Sequence, residues 1–305
     1  KAAMAYLPSP QQLRYLVMLA ETGHFGRAAS ACAVSQSTLS AGILALERAL
    51  DASILDRAAS KHPVFTPLGL ELVAKARAAL AALASVAETA DAARAPMSGP
   101  LRLGVIPTVG PFLLPRLMPQ LRERYQALKL FLREDQTERL LEQLDAGMLD
   151  LLILAEPCAC AGAETLMLAR DEFLVALPPG HVLAARSSLT PADLAAEQFL
   201  LLEDGHCLRD QVLAVCGTAL GREREQQRFA ATSLHTLIQM VAGGLGVTLV
   251  PELAVRAGLA KGTGVELRKL DGGSGWRSLA LAWREGSPRA PEYRALAPVI
   301  TEACA

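Results

Sequence analysis

A chain of 305 residues with a formal net charge of −1 is long enough for two or three domains, and too near neutrality to coat nucleic acid by bulk positive charge. Six cysteines are too few for a disulfide scaffold of this length, and neither a signal peptide nor an apolar run of membrane-spanning length stands out. A reducing cytoplasm follows as the expected compartment, where a disulfide is transient and regulatory rather than structural.

The residues ahead of Met4 read as a processing remnant and are set aside. From there to about Arg94 the chain is rich in alanine and leucine and reads as helix. Leu13, Leu16, Val17 and Ala20 recur at helical spacing and define a first amphipathic helix. A second begins near Arg27-Ala28-Ala29. A third follows Ser35, a good N-cap, with Leu39, Ile43, Leu46 and Leu50 on one side and Ser37, Ala41 and Arg48 opposite. Two short helices joined by a tight turn, the second opening on Gln36, Ser37, Thr38 and Ser40, form the arrangement that lays a recognition helix in the major groove of double-stranded DNA. Arg57, Lys61 and His62 lie near an expected hairpin ending at Phe65-Thr66-Pro67, and the cations there suit phosphate anchoring.

Pro96, Ser98, Gly99 and Pro100 cannot continue the preceding helix and mark a boundary. Beyond it short apolar runs alternate with helical stretches: Leu101 to Ile106, Leu128 to Leu132, Leu151 to Leu154, Phe173 to Leu177 and Phe199 to Leu202. That alternation predicts α/β layers with parallel sheets. Cys158 and Cys160 fall in a loop after a strand, with no histidine or second cysteine pair to complete a metal site. Gly243-Gly244-Leu245-Gly246 follows a helix and precedes a strand, the reverse of a dinucleotide fingerprint, and reads as a turn. Cys304 reads as an exposed thiol.

The most telling segment is Gly205-His206-Cys207-Leu208-Arg209-Asp210-Gln211, with Cys216 further on. A histidine and an arginine flank Cys207 and are expected to favour its thiolate, the form that attacks peroxides. Cys216 falls about two and a half helical turns later, on the opposite face. If the two ever bond, local structure must unwind.

Phe25-Gly26-Arg27-Ala28-Ala29, Val34-Ser35-Gln36-Ser37-Thr38-Leu39-Ser40, Ile43, Leu46-Glu47, Arg57 and Thr66-Pro67-Leu68-Gly69 together resemble the winged helix-turn-helix of the LysR-type transcriptional regulators. In that family a long linker helix pairs two subunits; here it would run from Leu68 to about Arg94, with Leu72, Leu80 and Leu83 spaced as a seam. Where relatives often carry polar or basic side chains in mid recognition helix, this chain has Ala41, Gly42, Leu44 and Ala45, and Gly42 costs the helix roughly 1 kcal/mol relative to alanine. Base readout then rests on Gln36, Ser37, Thr38 and Ser40. Cys32 replaces a leucine usual in relatives and is expected to be a small buried apolar residue.

Ile106-Pro107-Thr108 with the residues that follow to Pro115, Glu134-Asp135-Gln136-Thr137, the Cys207 segment with Cys216, Ala231-Thr232-Ser233-Leu234, and Trp283 to Pro288 resemble one branch of that family, the OxyR-type peroxide sensors. The resemblance implies a winged helix-turn-helix over residues 1–67, a linker helix and hinge over 68–98, and a two-lobed, Rossmann-like (periplasmic-binding-protein-like) regulatory domain over 99–305. Lobe I would comprise 99–171 and 276–305, and lobe II 172–275. It further implies a peroxide pocket of Thr108, Thr137, His206, Asp210 and Arg277 around Cys207, and a reversible Cys207–Cys216 disulfide. A carboxylate beside a thiolate raises the thiol pKa, so Asp210 is expected to orient Arg277 or a water. Taken alone, Thr108 and Thr137 read equally well as helix caps, His206 as a loop-holding histidine and Arg277 as a solvated strand-end charge.

The expected function is that of a bacterial cytoplasmic transcription regulator switched by hydrogen peroxide, not an enzyme, with no metal or cofactor. Its expected partners are double-stranded DNA, a second copy forming a homodimer and then a homotetramer, RNA polymerase and a cellular dithiol reductant. A LysR-type regulator answering to a small organic ligand between the lobes is the second reading, and a thiol peroxidase the third.

Overall fold

A computed structural model describes residues 6–56, 62–158, 160, 162–216, 230–271 and 275–305. They fall into two compact units, one running to Ala90, the other made of Asp91–Leu144 with Leu149–Ala305.

In the first unit, helices α1 (Pro10–Thr22), α2 (Phe25–Ala31) and α3 (Gln36–Leu50) are followed by a hairpin of β1 (Leu55–Asp56) and β2 (Val64–Phe65) and by the long helix α4 (Pro67–Arg94). Each start has a chemical cause. Ser9 and Gln12 form a reciprocal capping box at α1, His24 Nδ1 accepts the Gly26 N–H at 3.0 Å at α2, and Ser35 Oγ accepts the Thr38 N–H at 3.1 Å at α3. Leu16, Leu19, Leu39, Ile43, Leu46 and Ile54 make the core, each contributing about 1.5–3 kcal/mol by leaving water. Gly42 has a structural reason: a Cβ there would lie 2.6 Å from the Tyr15 ring, so α1 and α3 touch at a distance only glycine permits. The Glu47 carboxylate accepts the N–H groups of Ile54 and Leu55 at 2.8 and 3.1 Å and fixes where the hairpin begins. Cys32 is half-buried against this core. Leu72 and Leu80 are partly buried against the unit's own core, whereas Leu83 is exposed.

The second unit contains β3 (Gly99–Val105), α5 (Gly110–Arg124), β4 (Leu128–Glu134), α6 (Thr137–Asp145), β5 (Leu151–Glu156), β6 (Ala163–Leu177), β7 (Ser188–Leu189), β8 (Leu201–Leu202), α7 (Cys207–Cys216), β9 (Ala230–Ala231), α8 (Leu234–Ala242), β10 (Thr248–Pro251), α9 (Glu252–Arg256), β11 (Glu266–Leu270), β12 (Trp276–Arg284) and α10 (Ala290–Cys304). The main sheet runs β4-β3-β5-β12-β6-β11-β7, with β10 also on β6. β3, β4 and β5 are parallel, as the alternation predicts, but β12 is antiparallel to both β5 and β6, so the sheet is mixed. β6 is also longer than the expected run from Phe173. Residues 163–172 pair with β12, and from Phe173 onward the strand changes partners to β10 and β11. One strand thus carries the chain through two lobes. Gly243–Gly246 is a turn as expected, and Gly246, with φ of +158°, passes 2.3 Å (as a Cβ) from the Gln198 carbonyl, where a side chain has no room. Among the described residues no single helix is long and apolar enough to cross a membrane.

Candidate functional site

β3 and β4 pair in parallel with Val105 opposite Glu134. Residues three beyond each, Thr108 and Thr137, therefore leave the sheet side by side at the carboxyl ends of the strands, the usual place for a ligand in an open α/β sheet. The turn Gly205-His206 brings Cys207, the first residue of α7, to the same point. Gly205 holds φ at +90°, and a Cβ there would meet Gln136 Oε1 at 2.6 Å, so Gln136 packs directly on this turn. Its Nε2 donates to the Asp204 carbonyl at 3.3 Å. Together Ile106, Pro107, Thr108, Gln136, Thr137, Gly205, His206 and Cys207 line a narrow crevice.

Arg277 anchors one wall. It faces Asp171 across the β12–β6 pair, and its Nε donates to Asp171 Oδ2 at 2.9 Å. Nη1 donates to Thr108 Oγ1 at 2.8 Å and Nη2 to the Thr108 carbonyl at 3.1 Å. Asp171 Oδ1 accepts the Leu253 N–H of α9 at 2.9 Å. Both charged side chains are buried, so Arg277 is no solvated strand-end charge. Because Thr108 Oγ1 already accepts from the guanidinium, its own proton is left to donate elsewhere.

The surroundings of Cys207 correct the expectation of a favoured thiolate. Burial pushes its thiol up from the ordinary value; the Arg277 charge, the Thr137 hydroxyl and the Leu208 N–H oppose that, and Asp210 adds to it. The Thr137 hydroxyl faces the sulfur without a complete hydrogen bond. His206 is buried, and burial lowers its pKa against a weaker pull from Glu203, so it is neutral at pH 7. The neighbouring cation Arg209 is turned away: Nε pairs with Asp204 at 2.8 Å and Nη1 donates to the Leu202 carbonyl at 3.0 Å. Asp210 is exposed, and the carboxylate that orients Arg277 is Asp171 instead.

Cys216 ends the helix that Cys207 begins, fully buried, its thiol pushed up by burial to about 11. Both thiols are free. Nine helical steps separate their Cα atoms by about 13–14 Å, roughly twice the span a disulfide allows. Cys304, expected exposed, is buried as α10 packs back on the sheet. Cys158 and Cys160 are joined by a disulfide. Among the described residues no group of three or more His, Cys, Asp or Glu side chains gathers as a metal site.

In the first unit Gln36, Ser37, Thr38 and Ser40 are exposed on the first turn of α3, as expected. Ser35 is engaged as the cap, and its Oγ also lies 2.8 Å from the hydroxyls of Ser37 and Thr38. Arg57 and Lys61 lie outside the described residues.

Asp171, Gln136 and Gln211 were not among the expected site residues. Gln211 donates from α7 to the Glu156 carbonyl at 3.1 Å. Gln136 and Gln211 stand inside the segments that carry the resemblance, but Asp171 is marked by nothing except its register opposite Arg277.

Residues 10–70 match the model of the bacterial regulatory helix-turn-helix proteins of the lysR family, and residues 94–305 that of the LysR substrate binding domain. The chain is 43% identical to the DNA-binding transcriptional dual regulator OxyR of Escherichia coli over 95% of its length and 94% of that protein's. It is 41% identical to a probable hydrogen peroxide-inducible genes activator of Streptomyces viridosporus over 97% of this chain and 94% of that one. Among solved structures it is similar to a full-length OxyR variant of Pseudomonas aeruginosa, with a TM-score of 0.78, 35% identity and coverage of 97% of this chain and 98% of the other. An OxyR mutant of Corynebacterium glutamicum with hydrogen peroxide bound gives a TM-score of 0.67 at 33% identity, covering 98% of this chain and 94% of that one. The chain therefore belongs to the LysR family of bacterial regulatory helix-turn-helix proteins, in the branch of the OxyR proteins.

Proposed function

We propose that the protein is a DNA-binding transcription regulator switched by hydrogen peroxide through Cys207 and Cys216. The observation that carries this reading is the crevice itself, where the Cys207 thiol, the Thr108 and Thr137 hydroxyls and a wall anchored by Arg277 meet at the carboxyl ends of β3 and β4, the set of groups a peroxide reaction needs. The chemistry follows from the groups. The Cys207 thiolate attacks one peroxide oxygen, the O–O bond breaks, and the departing hydroxide is stabilised by donors already in place. Thr108, polarised by Arg277, is the principal donor; Thr137 holds the sulfur side. The product is a sulfenic acid, which the Cys216 thiol attacks to form a disulfide and release water. A dithiol reductant reverses the reaction by exchange.

Under this reading residues 1–67 read DNA through Gln36, Ser37, Thr38 and Ser40, with Arg57 and Lys61 on phosphates. Residues 68–98 link them to the regulatory domain, 99–305, whose lobes divide at 171/172 and 275/276. Subunits pair through α4 and then assemble as a tetramer; unwinding of α7 re-spaces the DNA-binding modules and alters contact with RNA polymerase in the bacterial cytoplasm. Coupling of the chemistry to a DNA-binding module, and to unwinding of α7 before Cys216 can reach Cys207, favours a switch over a turning-over peroxidase. Footprinting of the full chain on its operator tests the proposal: Cys207→Ser should keep reduced-state binding and lose the peroxide-dependent change of footprint. A footprint that still changes in that variant overturns it.

A further inference from the structure

Cys158 and Cys160 take no part in the chemistry above, yet they are bonded to each other, with Cα atoms 5.2 Å apart, inside the range a disulfide requires. The bond is poorly placed as a staple. It spans a sequence separation of 2, the kind of loop whose closure restrains an unfolded chain least. The segment is also held without it: Ser278 pairs with Glu156 on the strand before, and the Ala163 N–H donates to the Cys160 carbonyl at 3.2 Å on the strand after. Both cysteines are partly exposed. Beside Cys158 lies a pocket of about 510 Å³, open to solvent, whose lining includes Trp276, Arg277 and Ser278. Trp276 carries the Arg170 guanidinium 4.1 Å from its ring centroid, and the Glu156 carboxylate lines the same pocket, so the site offers one group of each sign.

We infer that Cys158 and Cys160 form a second thiol–disulfide couple, exchanging with anionic low-molecular-weight thiols and disulfides of the glutathione class at the open pocket beside Cys158. The incoming thiolate attacks Cys158 Sγ, forming a mixed disulfide there and expelling the Cys160 thiolate, which takes a proton from water. A second thiolate attacks the outer sulfur of the mixed disulfide, releasing the small-molecule disulfide and the Cys158 thiolate, which is protonated in turn. Two small thiols are oxidised and one protein disulfide is reduced; excess small-molecule disulfide runs the sequence backwards. Arg170 can pair a carboxylate of such a reagent and Glu156 its ammonium group, and the pocket has room for its body once it is attached to Cys158. The couple sits two residues from Glu156, whose carbonyl holds Gln211 of the helix that begins with Cys207.

The test uses the full chain equilibrated in a series of reduced-to-oxidised glutathione ratios, alkylated and digested for mass spectrometry. The peptide containing Cys158 and Cys160 should pass from no alkyl groups to one on each cysteine in a single step, with half-modified forms scarce. In Cys160→Ser, Cys158 should instead retain one glutathionyl group under oxidising ratios. Independent labelling of the two cysteines at every ratio, a disulfide that no ratio opens, or absence of the adduct on Cys158 would each overturn the inference. Cys207 and Cys216 are read from a different peptide, so failure here is separable from failure of the peroxide reading.

Discussion

Arg277 grips Thr108 twice, guanidinium to hydroxyl at 2.8 Å and guanidinium to carbonyl at 3.1 Å, although the two residues lie 169 positions apart. The pairing fixes the threonine rotamer and directs its remaining proton into the crevice. Replacing Thr108 by valine, similar in shape but without the hydroxyl, removes a donor worth about 1.5–3 kcal/mol to a developing anion, so oxidation of Cys207 by peroxide should slow by roughly 10–100-fold. Thr108→Ser should retain most of the rate. Stopped-flow trapping of the sulfenic acid measures both.

Arg277 has a second role, in stability. Arg277→Ala leaves the Asp171 carboxylate buried without its cation, a loss of about 3–5 kcal/mol. Denaturant unfolding at pH 7 should register it in the regulatory unit, and adding Asp171→Asn should recover part of the loss by removing the stranded charge.

Burial raises the Cys207 pKa more than Arg277, Thr137 and the Leu208 N–H lower it. The reactive thiolate is thus a minor form at pH 7, and the peroxide rate should go on climbing with pH beyond the ordinary thiol value of about 8.5. A rate that levels off below pH 7 would show a resting thiolate and contradict this balance. Asp210→Asn, which removes a charge that raises the pKa, should displace the profile towards lower pH.

Cys216 and Cys304 both have thiols raised to about 11 by burial. In the unfolded chain each ionises near its ordinary value, so between that value and about 11 the unfolded state has lost the proton that the folded state keeps. Stability is therefore intact below the ordinary value and falls as pH rises through this window, on the order of 1–3 kcal/mol per thiol. Denaturant midpoints measured under reducing conditions at pH 8 and 10.5 should show a smaller drop in Cys216→Ala, Cys304→Ala than in the parent.

Gly42→Ala tests the close crossing of α1 and α3. Added helix propensity would stabilise by about 1 kcal/mol, but the methyl group would fall 2.6 Å from the Tyr15 ring, and overpacking costs about 1–3 kcal/mol. A net loss of thermal stability in the first unit is expected, relieved by Tyr15→Leu.

Sequence periodicity was sufficient for the helix-turn-helix, the long α4 and the parallel strands β3, β4 and β5, because each buries a stripe or run of apolar residues that recurs locally. It set Thr108 and Thr137 at the ends of two strands, but only the resemblance put them in one pocket, and the in-register pairing of β3 with β4 is what brings them side by side. What escaped was tertiary. Asp171 is set opposite Arg277 only by the antiparallel register of β6 and β12, which no local pattern encodes. The direction of the Cys207 shift depends on burial, and Arg209, adjacent in sequence, turns to Asp204 while the distant Arg277 supplies the opposing charge. Cys304 looked exposed at the end of the chain, and α10 buries it. Gly42, which costs the helix propensity, is explained only by the ring it meets.

Cys207 and Cys216, at the two ends of α7, cannot bond while that helix exists. Hydrogen–deuterium exchange of the full chain before and after a peroxide pulse, with thiols mapped in the same samples, tests it directly. Loss of both thiols should coincide with loss of amide protection across Cys207–Cys216, and dithiol treatment should restore both. A Cys207–Cys216 disulfide formed with the protection of α7 unchanged, or a peroxide response with both thiols still free, would contradict it.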